Sequence, residues 1–274
     1  MRVALCQIPV SSKPLINLDR VRSALLSAVD QGADLAVFPE ATQVRFGSDL
    51  RAMAEPLDGP FCTGLSAFAK ELGVGLVAGV FEPAPDGRVY NTAVALDDRG
   101  EMVAAYRKLH LFDAFGHRES ELVAPGSVPV LCTLAGLRVG LEICYDVRFG
   151  ELSRTLSVAG ATLLVLPAAW AAGPLKEEHW VTLVRARAIE NTVWVAAACQ
   201  VPDPDEPPTS APTGVGRSIL VDPLGVVRVD LGAWPGVAVG SVDAGMVEAV
   251  RETVPSLANR REDVFGPPLA LPDR

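Results

Sequence analysis

The sequence predicts an α/β protein with four layers, helix–sheet–sheet–helix, built from two repeated halves. Three observations lead to this fold: four segments recur in the same order in both halves, the strands are solid apolar runs, and amphipathic helices fall between them. Strands of that composition are buried on both faces of their sheet. If helices cover one face of each sheet, the remaining faces can pack together, and the 274 residues form a single domain.

The repeat consists of four pairs of matching segments. In the fourth pair, residues 91–103 and 217–229, a turn containing glycine separates two apolar runs in each segment, which is typical of a hairpin. The pairs are RVAL and RVGL (2–5, 138–141), QGADLAVFPEA and AGATLLVLPAA (31–41, 159–169), VGLVAGVFEP and TVWVAAACQVP (74–83, 192–202), and NTAVALDDRGEMV and RSILVDPLGVVRV (91–103, 217–229). We therefore divide the domain into halves at residues 1–103 and 137–232, each reading strand, helix, strand, helix, strand and hairpin.

Helices are predicted between these strands, where apolar residues recur three or four positions apart. Residues 104–136 have no counterpart in the repeat and are predicted to connect the halves. The tail, residues 246–274, contains prolines and arginines and is predicted to wrap around the surface or a partner subunit. The predicted helices are residues 17–30, 61–72, 152–159 and 180–191.

Composition argues against several classes of function. The net charge is -9 and no cluster of Lys and Arg occurs, which argues against nucleic acid and anionic membranes as partners. The 5 cysteines are odd in number and lack C-x-x-C spacing, so we expect neither a disulfide framework nor a zinc site. This cysteine usage, the absence of a signal-peptide pattern and the lack of a membrane-length apolar run predict a cytoplasmic protein.

The repeat also singles out residues for chemistry, because a polar residue present in only one copy is not needed for the fold that both copies share. Glu40 ends the segment FPE where the second half has Ala168, and Cys144 follows a strand whose first-half partner ends near Ile8. Both residues lie at the carboxyl ends of buried strands, where α/β sheets place their sites. The connecting segment adds Lys108, within AYRKLHLF.

These three side chains can activate a cysteine without a histidine. A thiol becomes a nucleophile when a base takes its proton or a positive charge stabilises the thiolate. Glu40 could take the proton of Cys144, while Lys108 and the backbone N–H of Tyr145 could stabilise the oxyanion on an attacked carbonyl. Taken alone, Cys144 would favour a buried structural thiol, which is the role we expect for the other four cysteines.

With these residues, the chain resembles the nitrilase superfamily of carbon–nitrogen hydrolases over nearly its whole length. The motifs are VALCQIP, LAVFPE, YRKLHLFD, ICYDVRF, RARAIEN, GRSILVDPLG and PSLANRRED. The resemblance implies a nitrilase-like αββα sandwich, a Glu–Lys–Cys triad at Glu40, Lys108 and Cys144, and a homodimer or higher homo-oligomer. The chain is most similar to the branch of omega-amidase and deaminated-glutathione amidase, which implies a second glutamate, Glu119, that orients the substrate and the lysine.

The function that this branch implies is hydrolysis of a small carboxylate-bearing amide, an omega-amide of a 2-oxo acid or deaminated glutathione, to an acid and ammonia. This chemistry requires no metal and no other cofactor. The branch associates Arg148 with a substrate carboxylate, although Arg148 could instead hold a structural salt bridge. Trp170 is either a core residue or part of the pocket wall. Nitrile hydrolysis, N-carbamoyl hydrolysis, acyl transfer and a non-catalytic scaffold are the alternatives.

Three departures from the family pattern leave the substrate open. Gly150 stands where the branch usually has proline, and Arg217 stands where it often has histidine. The segment WAAGPLKEEHW, residues 170–180, differs in the loop expected to line the pocket. Because loop side chains select the substrate, these departures concern specificity rather than the triad.

Overall fold

The computed structural model describes residues 1–267, Leu269 and Leu271, and within them the chain forms two six-stranded sheets with helices. The strands are β1 (Arg2–Gln7), β2 (Leu35–Val37), β3 (Gly75–Pro83), β4 (Val89–Leu96), β5 (Met102–Arg107), β6 (Val130–Leu134), β7 (Leu137–Leu141), β8 (Leu163–Ala168), β9 (Trp194–Cys199), β10 (Ile219–Val221), β11 (Val227–Asp230) and β12 (Gly236–Ser241). The helices are α1 (Pro14–Asp30), α2 (Leu50–Met53), α3 (Pro60–Leu72), α4 (Gly150–Val158), α5 (Lys176–Asn191), α6 (Ala244–Thr253) and α7 (Glu262–Phe265), with 3₁₀ turns at Glu119–Glu121 and Cys144–Arg148. No helix in this part of the chain is both long enough and apolar enough to cross a membrane.

The two sheets have equivalent strand orders. The first sheet runs β12-β1-β2-β3-β4-β5, and the second, read from its other edge, runs β6-β7-β8-β9-β10-β11. β1, β2 and β3 are parallel in the first sheet, and β7, β8 and β9 are parallel in the second. The other neighbouring strands are antiparallel. The predicted αββα sandwich of two repeated halves is confirmed.

The segment 104–136 differs from its prediction as a connector. It contains the end of β5 and the whole of β6, which pairs with β7 across a tight turn at Gly136. β6 occupies the place beside β7 that β12 occupies beside β1 in the other sheet. The repeat did not reveal this correspondence because the two strands hold different places in the sequence. β12 is the last strand among the described residues, whereas β6 comes before the other strands of its sheet.

The apolar cores lie between the sheets and beneath the helices. Leu5 and Val37 on one face of the first sheet share a core with Leu141 of the second sheet. The opposite face of the first sheet packs against α1 and α3 in a separate core. On the second sheet, α4 and α5 contribute the fully buried Leu156 and Val184. Replacing one such buried leucine with alanine typically costs about 2–5 kcal/mol of stability.

The helices begin where local chemistry favours a first turn. α1 and α3 both have proline at the first helical position, where the missing N–H has no partner to lose. α3 ends at Gly73, whose φ of 62° closes the helix in the left-handed conformation. α5 begins at Lys176, earlier than the predicted residue 180, and its first turn contains Glu177 and Glu178, which favour a helix N-terminus. This early start brings Lys176 into the helix next to the predicted site.

Loops at the carboxyl ends of central strands carry the predicted site residues. Glu40 follows β2, Cys144 follows β7 and Trp170 follows β8. Lys108 follows β5 at the edge of the first sheet. Face-to-face packing of the two sheets therefore brings residues from both halves into one site.

Candidate active site

Glu40 is held in a tight turn after β2. The turn packs against β3 at Gly79, where an added Cβ would lie 2.8 Å from the Cα of Glu40, so only glycine permits this approach. Ala41 has a φ of 56°, in the left-handed region, and turns the chain away from the strand. The side chain of Gln200, just after β9, donates a 2.5 Å hydrogen bond to the Glu40 carbonyl. Elements of both sheets therefore fix the backbone of Glu40.

The Glu40 carboxylate is buried and fully hydrogen-bonded, with only 1% of the residue exposed. Its Oε1 accepts hydrogen bonds of 2.8 Å from Lys108 Nζ and 2.8 Å from Asn91 Nδ2. Its Oε2 accepts a 2.8 Å hydrogen bond from the backbone N–H of Ala169, at the end of β8. These donors fix the orientation of the carboxylate and stabilise its charge.

Lys108 lies between two carboxylates and is only 2% exposed. Its Nζ donates 2.8 Å hydrogen bonds to Glu40 Oε1 and to Glu119 Oε2. Burial alone lowers the pKa of a lysine, but the charges of Glu119 and Glu40 outweigh burial and raise the pKa of Lys108 well above its ordinary value. The ammonium is therefore charged at neutral pH and supplies a fixed positive charge at the site.

Glu119 reaches the site from the short 3₁₀ turn that it begins. Its Oε2 accepts a 2.6 Å hydrogen bond from the backbone N–H of Phe112, in addition to the bond from Lys108. Its Oε1 accepts a 3.1 Å hydrogen bond from Asn91 Nδ2, the same amide nitrogen that donates to Glu40. Asn91 thus bridges the two glutamates and holds them at a set separation.

Cys144 sits in a strained turn that Asp146 holds in place. Cys144 has a φ of 49°, which is uncommon for a residue other than glycine and costs conformational energy. The buried Asp146 carboxylate accepts hydrogen bonds of 2.7 Å from the Tyr106 hydroxyl and 3.0 Å from the His110 N–H. Tyr106 and His110 flank Lys108 in sequence, so Asp146 ties the cysteine turn to the lysine segment.

The thiol of Cys144 is neutral at rest. Only 7% of the residue is exposed, and burial raises its pKa well above the ordinary value for a thiol. The charge of Glu40 raises this pKa further, whereas Lys108 acts in the opposite direction. The site therefore offers a carboxylate to accept the thiol proton rather than a preformed thiolate.

A cavity of about 340 Å³ lies against these groups. Its size is in the range of small-molecule sites. Among the described residues, the backbone N–H of Tyr145 has no hydrogen-bond acceptor and is free to donate to a ligand. Six of the seven predicted site residues line this one space: Glu40, Lys108, Glu119, Cys144, Tyr145 and Trp170.

Arg148 is the predicted site residue that does not line the cavity. Its guanidinium carbon lies 5.0 Å from the centroid of the Trp170 ring and 5.9 Å from that of Tyr145. Its Nη2 lies 3.4 Å from Nδ1 of His179. Contact with these rings places Arg148 beside two residues of the cavity wall, and its contact with a substrate carboxylate stays a prediction.

Two of the three departures from the family pattern have structural explanations. An added Cβ at Gly150 would lie 3.2 Å from Glu190 Oε1 and would collide with the Arg187 guanidinium, so glycine makes room for this ion pair. Arg217 does not line the cavity, and its guanidinium pairs with Asp230 at 2.7 Å. The third departure, the loop after β8, contributes to the cavity wall.

Sequence reasoning missed three residues around the site. Asn91 pairs with Arg217 in the repeat, and because both residues are polar, the search for polar residues present in only one copy passed over it. Asp146 lies two residues after Cys144, but its role depends on partners distant in sequence. Lys176 lines the cavity because α5 starts early, and no motif signalled that.

The sequence profile of the carbon–nitrogen hydrolase family matches residues 2–252. This chain belongs to the carbon–nitrogen hydrolase family. The resemblance seen in the motifs is thereby confirmed, and the protein is a hydrolase that acts on carbon–nitrogen bonds.

Relatives of this carbon–nitrogen hydrolase match it over nearly its full length. A Mycobacterium tuberculosis protein described as a hydrolase is 44% identical over 272 residues, which cover 96% of this chain and 97% of the relative. The deaminated glutathione amidase of Escherichia coli O157:H7 is 37% identical over 275 residues, covering 99% and 100% of the two chains. A solved structure of an amidase from Nesterenkonia sp. AN1, with acrylamide added to its active-site cysteine, has a TM-score of 0.80 and 27% identity, covering 97% of this chain and 98% of that one.

Proposed function

We propose that this carbon–nitrogen hydrolase is a cysteine-dependent amidase that converts a small carboxylate-bearing amide into a carboxylic acid and ammonia. The observation that carries the proposal is the buried cluster in which Glu40, Lys108 and Cys144 share one cavity. Fixed charges in such a water-poor site act on reacting atoms more strongly than they would in water.

The first half of the reaction forms a thioester. The sulfur of Cys144 attacks the amide carbonyl while Glu40 takes the thiol proton, and the carbonyl π electrons move to oxygen. The Lys108 ammonium and the Tyr145 N–H stabilise the resulting oxyanion. Glu40 then passes its proton to the amide nitrogen, the carbon–nitrogen bond breaks, and ammonia leaves.

The second half regenerates the enzyme. Glu40, again ionised, takes a proton from a water molecule whose oxygen attacks the thioester carbonyl. The tetrahedral intermediate collapses with loss of the Cys144 sulfur, and the proton on Glu40 returns to that sulfur. One water is consumed, and one acid and one ammonia are produced.

Glu119 and Asn91 support this chemistry through the lysine and the base. Glu119 accepts two hydrogen bonds from Lys108 Nζ and so sets the direction of the ammonium. Asn91 donates to Glu40 and Glu119 with one amide nitrogen. We infer that Glu119 also orients the substrate, because its side chain reaches the cavity wall.

The substrate class that we propose is deaminated glutathione or an omega-amide of a 2-oxo acid. A relative that is 37% identical is a deaminated glutathione amidase, and the cavity has the volume of a small-molecule site. A nitrile would give a thioimidate at the same cysteine, and an N-carbamoyl compound presents a similar carbonyl, so both belong to the test. A non-catalytic scaffold would have no use for the cluster.

The test is ammonia release from a panel of amides, 2-oxoglutaramate, deaminated glutathione, aliphatic amides, N-carbamoyl amino acids and nitriles, by the wild type and by Cys144→Ala. Cys132→Ala is the matched control, since Cys132 is buried in β6 and does not line the cavity. We expect turnover that Cys144→Ala abolishes and Cys132→Ala retains. Full hydrolytic activity of Cys144→Ala would contradict the proposal.

We also propose that the chain works as one domain and assembles into a homodimer or higher homo-oligomer in the cytoplasm. Exposed apolar side chains support assembly, among them Val264 and Phe265 in α7. The last residues of the predicted tail, 246–274, lie outside the part of the chain that the structure describes. Light scattering on the purified protein should give at least twice the chain mass, and a monomer mass would contradict the proposal.

A further inference from the structure

Lys176 is a buried cation in the cavity wall to which the triad chemistry gives no role. It is only 5% exposed and lines the same cavity as Cys144. It lies in the segment 170–180, where the sequence departs from the family pattern. A lysine is almost never this buried without a partner, so its surroundings need an explanation.

Aromatic rings surround the Lys176 ammonium. Its Nζ lies 3.5 Å from the centroid of the Phe115 ring, 5.1 Å from that of Phe112 and 5.4 Å from that of Trp170. Ring faces stabilise a cation, but they do not accept conventional hydrogen bonds as oxygen does. Among the described residues, no hydrogen bond or salt bridge joins Nζ to an oxygen or nitrogen atom, and the contacts seen for the ammonium are those with the rings.

The surrounding charges favour an anion beside Lys176. Burial and the nearby charge of Arg148 both lower the pKa of Lys176, and the charge of an anionic ligand would act in the opposite direction. Lys108 has another task in the proposed reaction, because it lies between Glu40 and Glu119 and stabilises the oxyanion at the reacting carbonyl. The cavity lining therefore holds Lys176 as a cation separate from Lys108, which the two carboxylates engage.

We propose that Lys176 binds the carboxylate of the substrate and selects amides that carry a negative charge at the end remote from the reacting carbonyl. The ammonium of Lys176 donates hydrogen bonds to the carboxylate, while Trp170 and Phe112 contact the carbon chain. Arg148 adds positive potential, since its charge already acts on Lys176. This inference rests on the proposed amidase function for its kinetic test, whereas its binding test is independent of turnover.

The kinetic test compares glutaramate with glutaramide, which have the same number of heavy atoms and differ in the charge of one end. Three variants are measured beside the wild type: Lys176→Met removes the charge, Lys176→Arg retains it, and Lys70→Met is a control at an exposed lysine on α3. Loss of a charged hydrogen bond should raise KM for glutaramate by about tenfold to a hundredfold in Lys176→Met. KM for glutaramide should stay unchanged, and Lys176→Arg should retain most of the preference.

The binding test uses the dicarboxylate glutarate and requires no catalysis. Calorimetry compares Cys144→Ala with Cys144→Ala/Lys176→Met, and Cys144→Ala/Lys176→Gln serves as a second neutral variant should the methionine variant not fold. We expect glutarate to bind Cys144→Ala and to bind at least about tenfold more weakly when Lys176 is neutral.

The outcomes separate this inference from the proposed function. If no amide is hydrolysed but glutarate binding depends on Lys176, the amidase proposal fails and the carboxylate site stands. If amides are hydrolysed and KM for glutaramate and glutaramide changes equally in Lys176→Met, Lys176 has only a structural role and the inference is overturned. Failure of glutarate to bind Cys144→Ala also overturns it.

Discussion

Glu142 carries a stability penalty that depends on pH and that a single substitution should remove. Glu142 lies two residues before Cys144, is 1% exposed, and has the Ser153 hydroxyl as its hydrogen-bond donor at 2.6 Å. Burial raises the pKa of Glu142 from 4.5 to about 8, and the charge of Asp146 adds to this, while the Ser153 hydrogen bond and Arg187 act in the opposite direction. The folded protein therefore keeps this carboxyl protonated at neutral pH.

The sign of the effect follows from the proton count of the two states. Between pH 4.5 and about 8 the unfolded chain has lost the Glu142 proton and the folded chain has retained it, so stability falls as pH rises. At about 1.4 kcal/mol for each pKa unit, the penalty is about 2 kcal/mol at pH 6 and about 4 kcal/mol at pH 8. Glutamine resembles the protonated carboxyl in shape and does not ionise.

We therefore expect the stability of Glu142→Gln relative to the wild type to increase by about 2 kcal/mol between pH 6 and pH 8. The assay is urea denaturation of both proteins at pH 6, 7 and 8, followed by tryptophan fluorescence. Glu151→Gln is the matched control for the loss of one carboxylate, because Glu151 is exposed on α4. A constant difference for Glu142→Gln across this range would refute the reasoning.

Three further substitutions test the positioning of the site. Gly79→Ala should displace Glu40 and lower kcat at least about tenfold, while Gly236→Ala in β12, where an added Cβ meets only a leucine side chain at 3.3 Å, should leave kcat unchanged. Asn91→Ala should lower kcat for every amide by about tenfold, because Glu40 and Glu119 lose their shared hydrogen-bond donor. Steady-state kinetics that show a change in KM alone would contradict this role. Asp146→Asn should lower the free energy of unfolding, measured by urea denaturation, by about 1–3 kcal/mol, because the cysteine turn loses its anchor to Tyr106. It should also lower kcat. Unchanged values of both quantities would rule out that anchor.

The repeat predicted both sheets because strands buried on two faces are solid apolar runs that can be recognised without knowing their neighbours. β6 escaped the prediction because its place in the sheet is set by pairing with β7, and its counterpart β12 lies at the other end of the chain. Strand order could therefore be inferred only where the order of segments in the sequence was the same in both halves.

The site shows a similar division between what the sequence predicted and what it left open. The sequence predicted Glu40, Lys108 and Cys144 because strand ends and motifs mark them, and the structure lines one cavity with all three. Their roles stay predictions until activity is measured. The sequence could not predict how Arg148 and Lys176 are placed at the cavity. Their placement depends on where α5 begins and on which aromatic rings each cation contacts.

The most direct test of the central claim is the mass of the protein itself during turnover. Wild-type protein is quenched in acid while it hydrolyses an amide at saturating concentration, and the intact mass and peptide masses are then measured. We expect an added mass equal to the acyl group, carried by the peptide that contains Cys144 and absent from Cys144→Ala. An acyl group on any other residue, or ammonia release by Cys144→Ala at the wild-type rate, would contradict the account.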